Sequence, residues 1–249
     1  GFEVSSTQVS RLSQNLDSEI KIWRSRPLGS FPYVFLDARY EKIRIDGCVR
    51  DGAVLWAYGV NQEGYREVLG VDVALSEAEV HWRGFLQSLK ERGLCDLQLI
   101  VSDDHSGLKA ARRAVFPGVT WQRCQFHLAQ NAQAYVPKQE LKTQVAQDLR
   151  DIFVAPTLEK AQDQLRLAID KYTPIASKLA QWMETNIPEG FSVYAFPRSH
   201  HKKIRTSNLM ERINREIRRL TRVATLFPNE ASCLRLVASV LMEINDEWV

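Results

Sequence analysis

Three carboxylates in this sequence stand where solubility alone does not account for an acid. Asp37 lies in Phe35-Leu36-Asp37-Ala38, inside an apolar strand-forming run, where a charge is costly unless paired or bound to a metal. Asp103 closes the apolar run Leu99-Ile100-Val101-Ser102, at the carboxyl edge where ligand sites of α/β sheets gather. Glu211 opens a helical segment on which Glu211, Arg215, Arg218 and Arg222 recur at i, i+4, i+7 and i+11, away from an apolar stripe of Leu209, Ile213, Ile217 and Leu220. Taken singly, each acid has an ordinary reading: a strand edge, a helix cap, or a Glu–Arg pair worth ~0.3 kcal/mol on an exposed helix. Taken together, carboxylates supply hard oxygen ligands for a divalent cation. Cys124-x-x-His127 has the spacing of half a zinc site, but no second pair completes it, so a buried structural Cys and His are expected and no zinc.

The elements that must position these residues follow from periodicity and turn chemistry. A helix opens near Ser6, with Val9, Leu12 and Leu16 on one face, and Arg26-Pro27-Leu28-Gly29-Ser30 reads as a linker. Strands are predicted at Tyr33 to Ile45, Ala53 to Asn61 and Tyr65 to Val71, separated by Asp46-Gly47, Asp51-Gly52 and Glu63-Gly64, which implies an antiparallel meander. A helix from Ser76 to Arg92 carries a capping-box pattern in Ser76 and Glu79 and a stop at Gly93. A buried strand from Leu97 to Ser102, a helix from Ser106 to Val115, a strand from Val119 to Arg123 and a helix from about Gln125 follow. From Pro137 to about Asn186 the pattern is helical throughout, broken near Pro156 and Pro174. A polar loop from Pro197 to Ser207 and helices from Asn208 to Thr221 and from Pro228 to Glu247 close the chain.

The order βββαβαβα is that of an α/β, ribonuclease H-like mixed sheet, interrupted before its last helix by an all-helical insertion. In such a sheet the first and fourth strands are neighbours, so Asp37 and Asp103 would meet and a late helix would bring the third acid. Asp104 follows Asp103 directly. Asp103 is preferred, because Asp104 and Ser106 are better placed to cap the next helix.

Composition excludes several classes. With 249 residues, 45% hydrophobic and 25% charged, the chain can bury a sizeable core and is neither disordered nor fibrous. No run approaches the ~20 apolar residues of a membrane helix, the first residues do not read as a secretory signal, and the four irregularly spaced cysteines suit a reducing, cytoplasmic setting. Net charge is +3, yet residues 198 to 222 hold nine basic residues against two acids, a net of +7, leaving −4 for the remainder. A basic face on a slightly acidic body is the footprint of a polyanion ligand, although a solvated helix face has the same pattern.

Leu36-Asp37-Ala38, Val101-Ser102-Asp103, Arg123-Cys124-Gln125-Phe126-His127 followed by Asn131, and Asn208-x-x-Glu211-Arg212-x-Asn214-Arg215-Glu216-Ile217-Arg218-Arg219 resemble the signature blocks of bacterial Mutator-type insertion-sequence transposases, in order and from about Ser5 to the C-terminus. The resemblance implies a DDE transposase with Asp37, Asp103 and Glu211 as catalytic, metal-binding triad and with Cys124 and His127 as structural support. It divides the chain into residues 1–29, the end of an N-terminal DNA-binding region and linker; 30–136, the first part of the catalytic core; 137–196, the helical insertion; and 197–249, the last part of the core. The chemistry that fits is in-line phosphoryl transfer with two Mg²⁺ ions ~3.5–4 Å apart, for which Mn²⁺ can substitute. Arg198, Lys202, Lys203, Arg205, Arg215, Arg218 and Arg222 would hold the DNA backbone at transposon terminal repeats and target, with no membrane partner and with a homodimer assembled on DNA. A structure-selective nuclease of the same fold and a domesticated, non-catalytic DNA-binding protein are the alternatives.

Overall fold

The computed structural model describes residues 5–205 and 208–248, and divides the chain into two compact units. The first comprises Gly1–Gln98, Asp104–Val119 and Glu211–Val249; the second comprises Leu99–Asp103 and Thr120–Met210. The chain is α/β, with five strands, β1 to β5, and ten α-helices, α1 to α10, among the described residues.

In the first unit, β1 (Tyr33–Ile45), β2 (Cys48–Val60) and β3 (Arg66–Ala74) form the expected antiparallel meander, with β2 in the middle. The β1–β2 turn is two residues, Asp46 and Gly47, at φ 50° and 79°. Positive φ at both positions is what a tight hairpin matching the strand twist requires, and Asp-Gly adopts it readily. Because this turn suffices, β2 starts at Cys48 rather than at the predicted Ala53, and Asp51-Gly52 is strand, not turn. Asp51 pairs with Lys42 across the ladder at 2.7 Å, and Gly52 leaves room for Ile43, whose Cδ1 lies 2.6 Å from where a Cβ would stand. β3 likewise runs from Arg66 to Ala74, past the predicted end at Val71. Phe35 and Tyr58, opposite each other on β1 and β2, stack at 4.4 Å, and Phe35, Leu36, Trp56 and Tyr58 are buried.

Helix α1 (Ser6–Ser25) is tied to β3 by Arg24, which donates to the Val71 carbonyl and pairs with Asp72 at 2.8 Å. Helix α2 (Glu79–Glu91) begins later than predicted. Ser76 does not cap it: Ser76 Oγ accepts from the Ala78 N–H, Ala78 is the cap residue without a side-chain bond, and Glu79 pairs instead with Arg83. Helix α3 (Ser106–Val115) also lacks the predicted cap; His105 is its cap residue without a side-chain bond, and Asp104 pairs with Lys109 at 2.8 Å.

The start of α2 is set by packing. A Cβ on Gly107 of α3 would stand 2.3 Å from the Glu77 carbonyl oxygen and 2.8 Å from the Glu79 nitrogen, so only glycine admits this approach. Gly107→Ala is therefore expected to destabilise the protein by about 1–3 kcal/mol, although alanine is the better helix former. The midpoint of urea unfolding measures it; an unchanged or raised midpoint would contradict the packing argument.

In the second unit, β4 (Leu99–Ser102) and β5 (Thr120–Arg123) pair in parallel, Ser102 opposite Arg123. Helix α4 (Gln125–Ala132) follows directly, and α5 (Lys142–Val154), α6 (Leu158–Tyr172) and α7 (Ser177–Asn186) enclose a core of Val145, Leu149, Ile152, Leu165, Tyr172, Leu179, Met183 and Ile187. Thr157 caps α6, accepting from the Lys160 N–H. Inside the core's rim, Tyr172 donates to Asp148 at 2.6 Å, and burial together with that carboxylate raises the phenol well above its usual range. Residues 198–204, predicted as loop, are helix α8 (Arg198–Ile204). The segment is polar enough to read as loop, but after Pro197 it contains no helix breaker, and Ile204 buries at its end. Helix α9 (Asn208–Ala224), part of the first unit from Glu211 onward, runs past the predicted Thr221, and α10 (Glu230–Asp246) is capped by an Asn229–Ser232 box rather than opening at Pro228.

Candidate active site

In the first unit, Asp37 stands midway along β1, opposite Trp56. Its Oδ1 accepts from the Ala38 N–H at 2.9 Å and its Oδ2 from Asn214 Nδ2 of α9 at 2.6 Å. Asp37, Arg39 and Glu41 alternate along the strand and so share one face. Arg39 Nη1 donates to the main-chain carbonyl of Asn214 at 2.5 Å, Arg39 also pairs with Glu41, and Thr221 Oγ1 donates to Glu41 at 3.1 Å. The Arg39 and Glu41 side chains are each only 11% exposed, so the pair is a desolvated one. Burial pulls the Arg39 guanidinium down, Glu41 opposes that, and Arg218 adds to it. Nearby, burial and then Glu41 push the Cys233 thiol up to about 12, which keeps it neutral.

Glu211 is half-buried, three residues before Asn214 and therefore its neighbour on one side of α9. The apolar stripe buries Ile213 and Ile217, whereas Arg215, Arg218 and Arg222 are exposed as their spacing predicts. Arg219, outside that row, pairs with Glu216 at 2.6 Å, which raises the arginine and lowers the glutamate.

In the second unit, Asp103 follows β4 and faces two basic side chains. Arg123 Nε lies 3.7 Å and His127 Nδ1 4.0 Å from its Oδ1, a buried oxygen that accepts no hydrogen bond among the described residues. Arg123 is itself only 6% exposed and reaches Asn186 Oδ1 at 2.9 Å and Glu189 Oε2 at 3.2 Å, so it links the strand edge to the end of α7 and the 3-10 turn that follows it. Cys124 is fully buried, as expected, and is the cap residue of α4 without a side-chain bond, while its N–H donates to the Ser102 carbonyl at 2.8 Å. Arg198, Lys202 and Lys203 of α8 are exposed, while Arg205 is half-buried and donates to the Phe153 carbonyl at 3.4 Å.

Sequence reasoning assigned no role to Arg39, Glu41, Asn214, Thr221 or Arg123. The alternation Asp37-x-Arg39-x-Glu41 and the placing of Asn214 three residues after Glu211 carried a signal, but only the fold says that they meet. Asp37, Asp103 and Glu211 are of the donor type that a hard cation takes, and the buried Asp103 Oδ1 has lone pairs to offer. Among the described residues no three His, Cys, Asp or Glu side chains are gathered as a ready-made metal cage. No helix among them is long and apolar enough to cross a membrane.

A family described as "Transposase, Mutator family" matches residues 1–249. The chain is 54% identical over 248 residues to the transposase for insertion sequence element IS406 of Burkholderia multivorans, covering all of this chain and 64% of that protein. It is 38% identical over 250 residues to the transposase for ISRM5 of Rhizobium meliloti and 39% identical over 249 residues to the transposase for IS1081 of Mycobacterium tuberculosis, covering 63% and 60% of those proteins and 100% and 99% of this chain. The chain thus spans just under two thirds of the length of these curated relatives. A match over its whole length makes this chain a member of the Mutator family of transposases.

Proposed function

We propose that this chain is the catalytic region of a DNA transposase that cleaves transposon ends and joins them to target DNA. The observation that carries the reading is the 2.6 Å bond from Asn214 to Asp37, which ties the strand-borne acid to the helix that holds Glu211. On this reading the strands are those of a ribonuclease H-like fold, and Asp37, Asp103 and Glu211 hold two Mg²⁺ ions. Bound there, such ions supply Lewis acidity to the phosphodiester and its leaving oxygen. The protein's own part is to bind and orient. Arg123 and His127 restrain the Asp103 carboxylate, while Cys124 packs the turn from β5 into α4. Arg198, Lys202, Lys203, Arg205, Arg215, Arg218 and Arg222 hold the DNA backbone, contacts that position without reading sequence. No zinc is assigned to Cys124 and His127. The partners are the terminal repeats and target DNA, with two copies assembled on DNA in the bacterial cytoplasm.

The test is strand transfer by the whole protein, using a pre-cleaved terminal-repeat oligonucleotide, a supercoiled target plasmid and Mn²⁺. Covalent joining of the oligonucleotide to the plasmid is the expected result. Nicking without joining would instead identify a hydrolytic nuclease, and DNA binding with neither would identify a non-catalytic binder.

A further inference from the structure

The face of β1 that carries Asp37 is fastened to α9 by consecutive polar contacts. From Asp37 to Glu41 the strand advances ~13 Å, and from Asn214 to Thr221 the helix rises ~10.5 Å, so the two runs are of comparable length. At one end Asn214 Nδ2 meets Asp37 at 2.6 Å, and at the other Thr221 Oγ1 meets Glu41 at 3.1 Å. Between them Arg39 donates to the Asn214 carbonyl at 2.5 Å. That acceptor belongs to the helix backbone, so the bond fixes where α9 sits along β1 whatever its side chains do. Slippage by one turn would move Glu211 by ~5.4 Å.

The kinds of group also differ along the ladder. The arginine is directed to Glu41 and to a carbonyl, whereas Asn214 meets Asp37 with a neutral amide. An amide N–H orients a carboxylate without cancelling its charge. We propose that Asn214 is the positioning residue of the acidic site: it holds the Asp37 carboxylate in one orientation and, with the Arg39–Glu41 pair, sets the register of the helix that carries Glu211. The inference rests on the reading of Asp37 as a metal ligand.

The test titrates Mn²⁺ alone into the full chain by calorimetry, with thermal unfolding recorded for every variant. Asn214→Ala removes the donor, and Asn214→Leu removes it while keeping the volume. Thr221→Val removes the contact at the far end of the same ladder and leaves Asp37 untouched. Removing a group that orients a metal ligand typically costs 10–100-fold in affinity. Both Asn214 variants are expected to bind Mn²⁺ at least about tenfold more weakly, and Thr221→Val within about twofold of the unaltered protein. Equal weakening in Thr221→Val would mean general loosening and would overturn the assignment. So would unaltered binding in both Asn214 variants while Asp37→Asn loses affinity, a result that leaves Asp37 as a ligand. Unaltered binding in Asp37→Asn would remove the ligand itself, and the inference with it.

Discussion

Asp37→Asn, Asp103→Asn and Glu211→Gln are each expected to lower metal-dependent cleavage and joining by about 10³-fold or more, with DNA binding changed no more than about twofold. Each substitution keeps side-chain shape and removes one charged oxygen donor. Charge that develops on a phosphoryl group in transit is stabilised by preorganised groups, and removing one such group typically costs 10²–10³-fold. Loss of a ligand should cost at least the upper end, because it weakens the cation's hold as well. Asp104→Asn is the control. Asp104 is exposed and paired with Lys109 at 2.8 Å, so this variant should retain activity. Rates of end cleavage and strand transfer, beside gel-shift affinities, measure the set. Wild-type rates in any of the three would remove that residue from the triad, and loss in Asp104→Asn with retention in Asp103→Asn would move the assignment by one position.

The second large effect concerns affinity. Arg215, Arg218 and Arg222 are exposed along one side of α9, and each is expected to neutralise about one phosphate. On duplex DNA each such contact contributes ~0.9 to the slope of log K against log salt, so replacing all three by alanine should flatten the slope by ~2.7. Over a fourfold rise in salt, the unaltered protein should then lose about 40-fold more affinity than the variant. Specific and random duplexes should weaken alike, since backbone contacts carry no sequence information. Fluorescence anisotropy across a salt series measures both quantities. A solvated helix face would leave slope and affinity unchanged, and loss confined to the specific duplex would mean that these arginines contact bases.

Much of the local structure was legible from short-range pattern. The meander, the helix-then-strand alternation after it, the helical stretch after residue 137 and the amphipathic character of α9 all follow from periodicities of 2 and 3.6 that adjacent residues impose. Errors fell where two local signals competed. Asp46-Gly47 and Asp51-Gly52 both look like turns, but one hairpin needs one turn, and Gly52 was kept for room beside Ile43 rather than for its conformation. Ser76 and Glu79 have the letters of a capping box, yet the close backbone approach at Gly107 starts α2 elsewhere. In α8 polarity hid a helix, because nothing local announces that Ile204 will be buried.

The candidate site divides in the same way. By itself the sequence determined which residues are costly in their places: an acid inside an apolar strand, an acid closing another, and an acid one turn from the start of a basic helix. Those follow from the free energy of burying charge and from spacing along one element. What only tertiary structure decided is who answers them. Asn214 lies 177 positions from Asp37, Thr221 lies 180 from Glu41, and Arg123 reaches Glu189 across 66. Contacts at such separations leave no periodic trace, because each depends on where whole elements come to rest and not on the order of neighbours in the chain. Hydrogen-bond complementarity, a carboxylate facing an amide or an arginine facing a carbonyl, becomes readable only after hydrophobic burial has set β1 and α9 side by side.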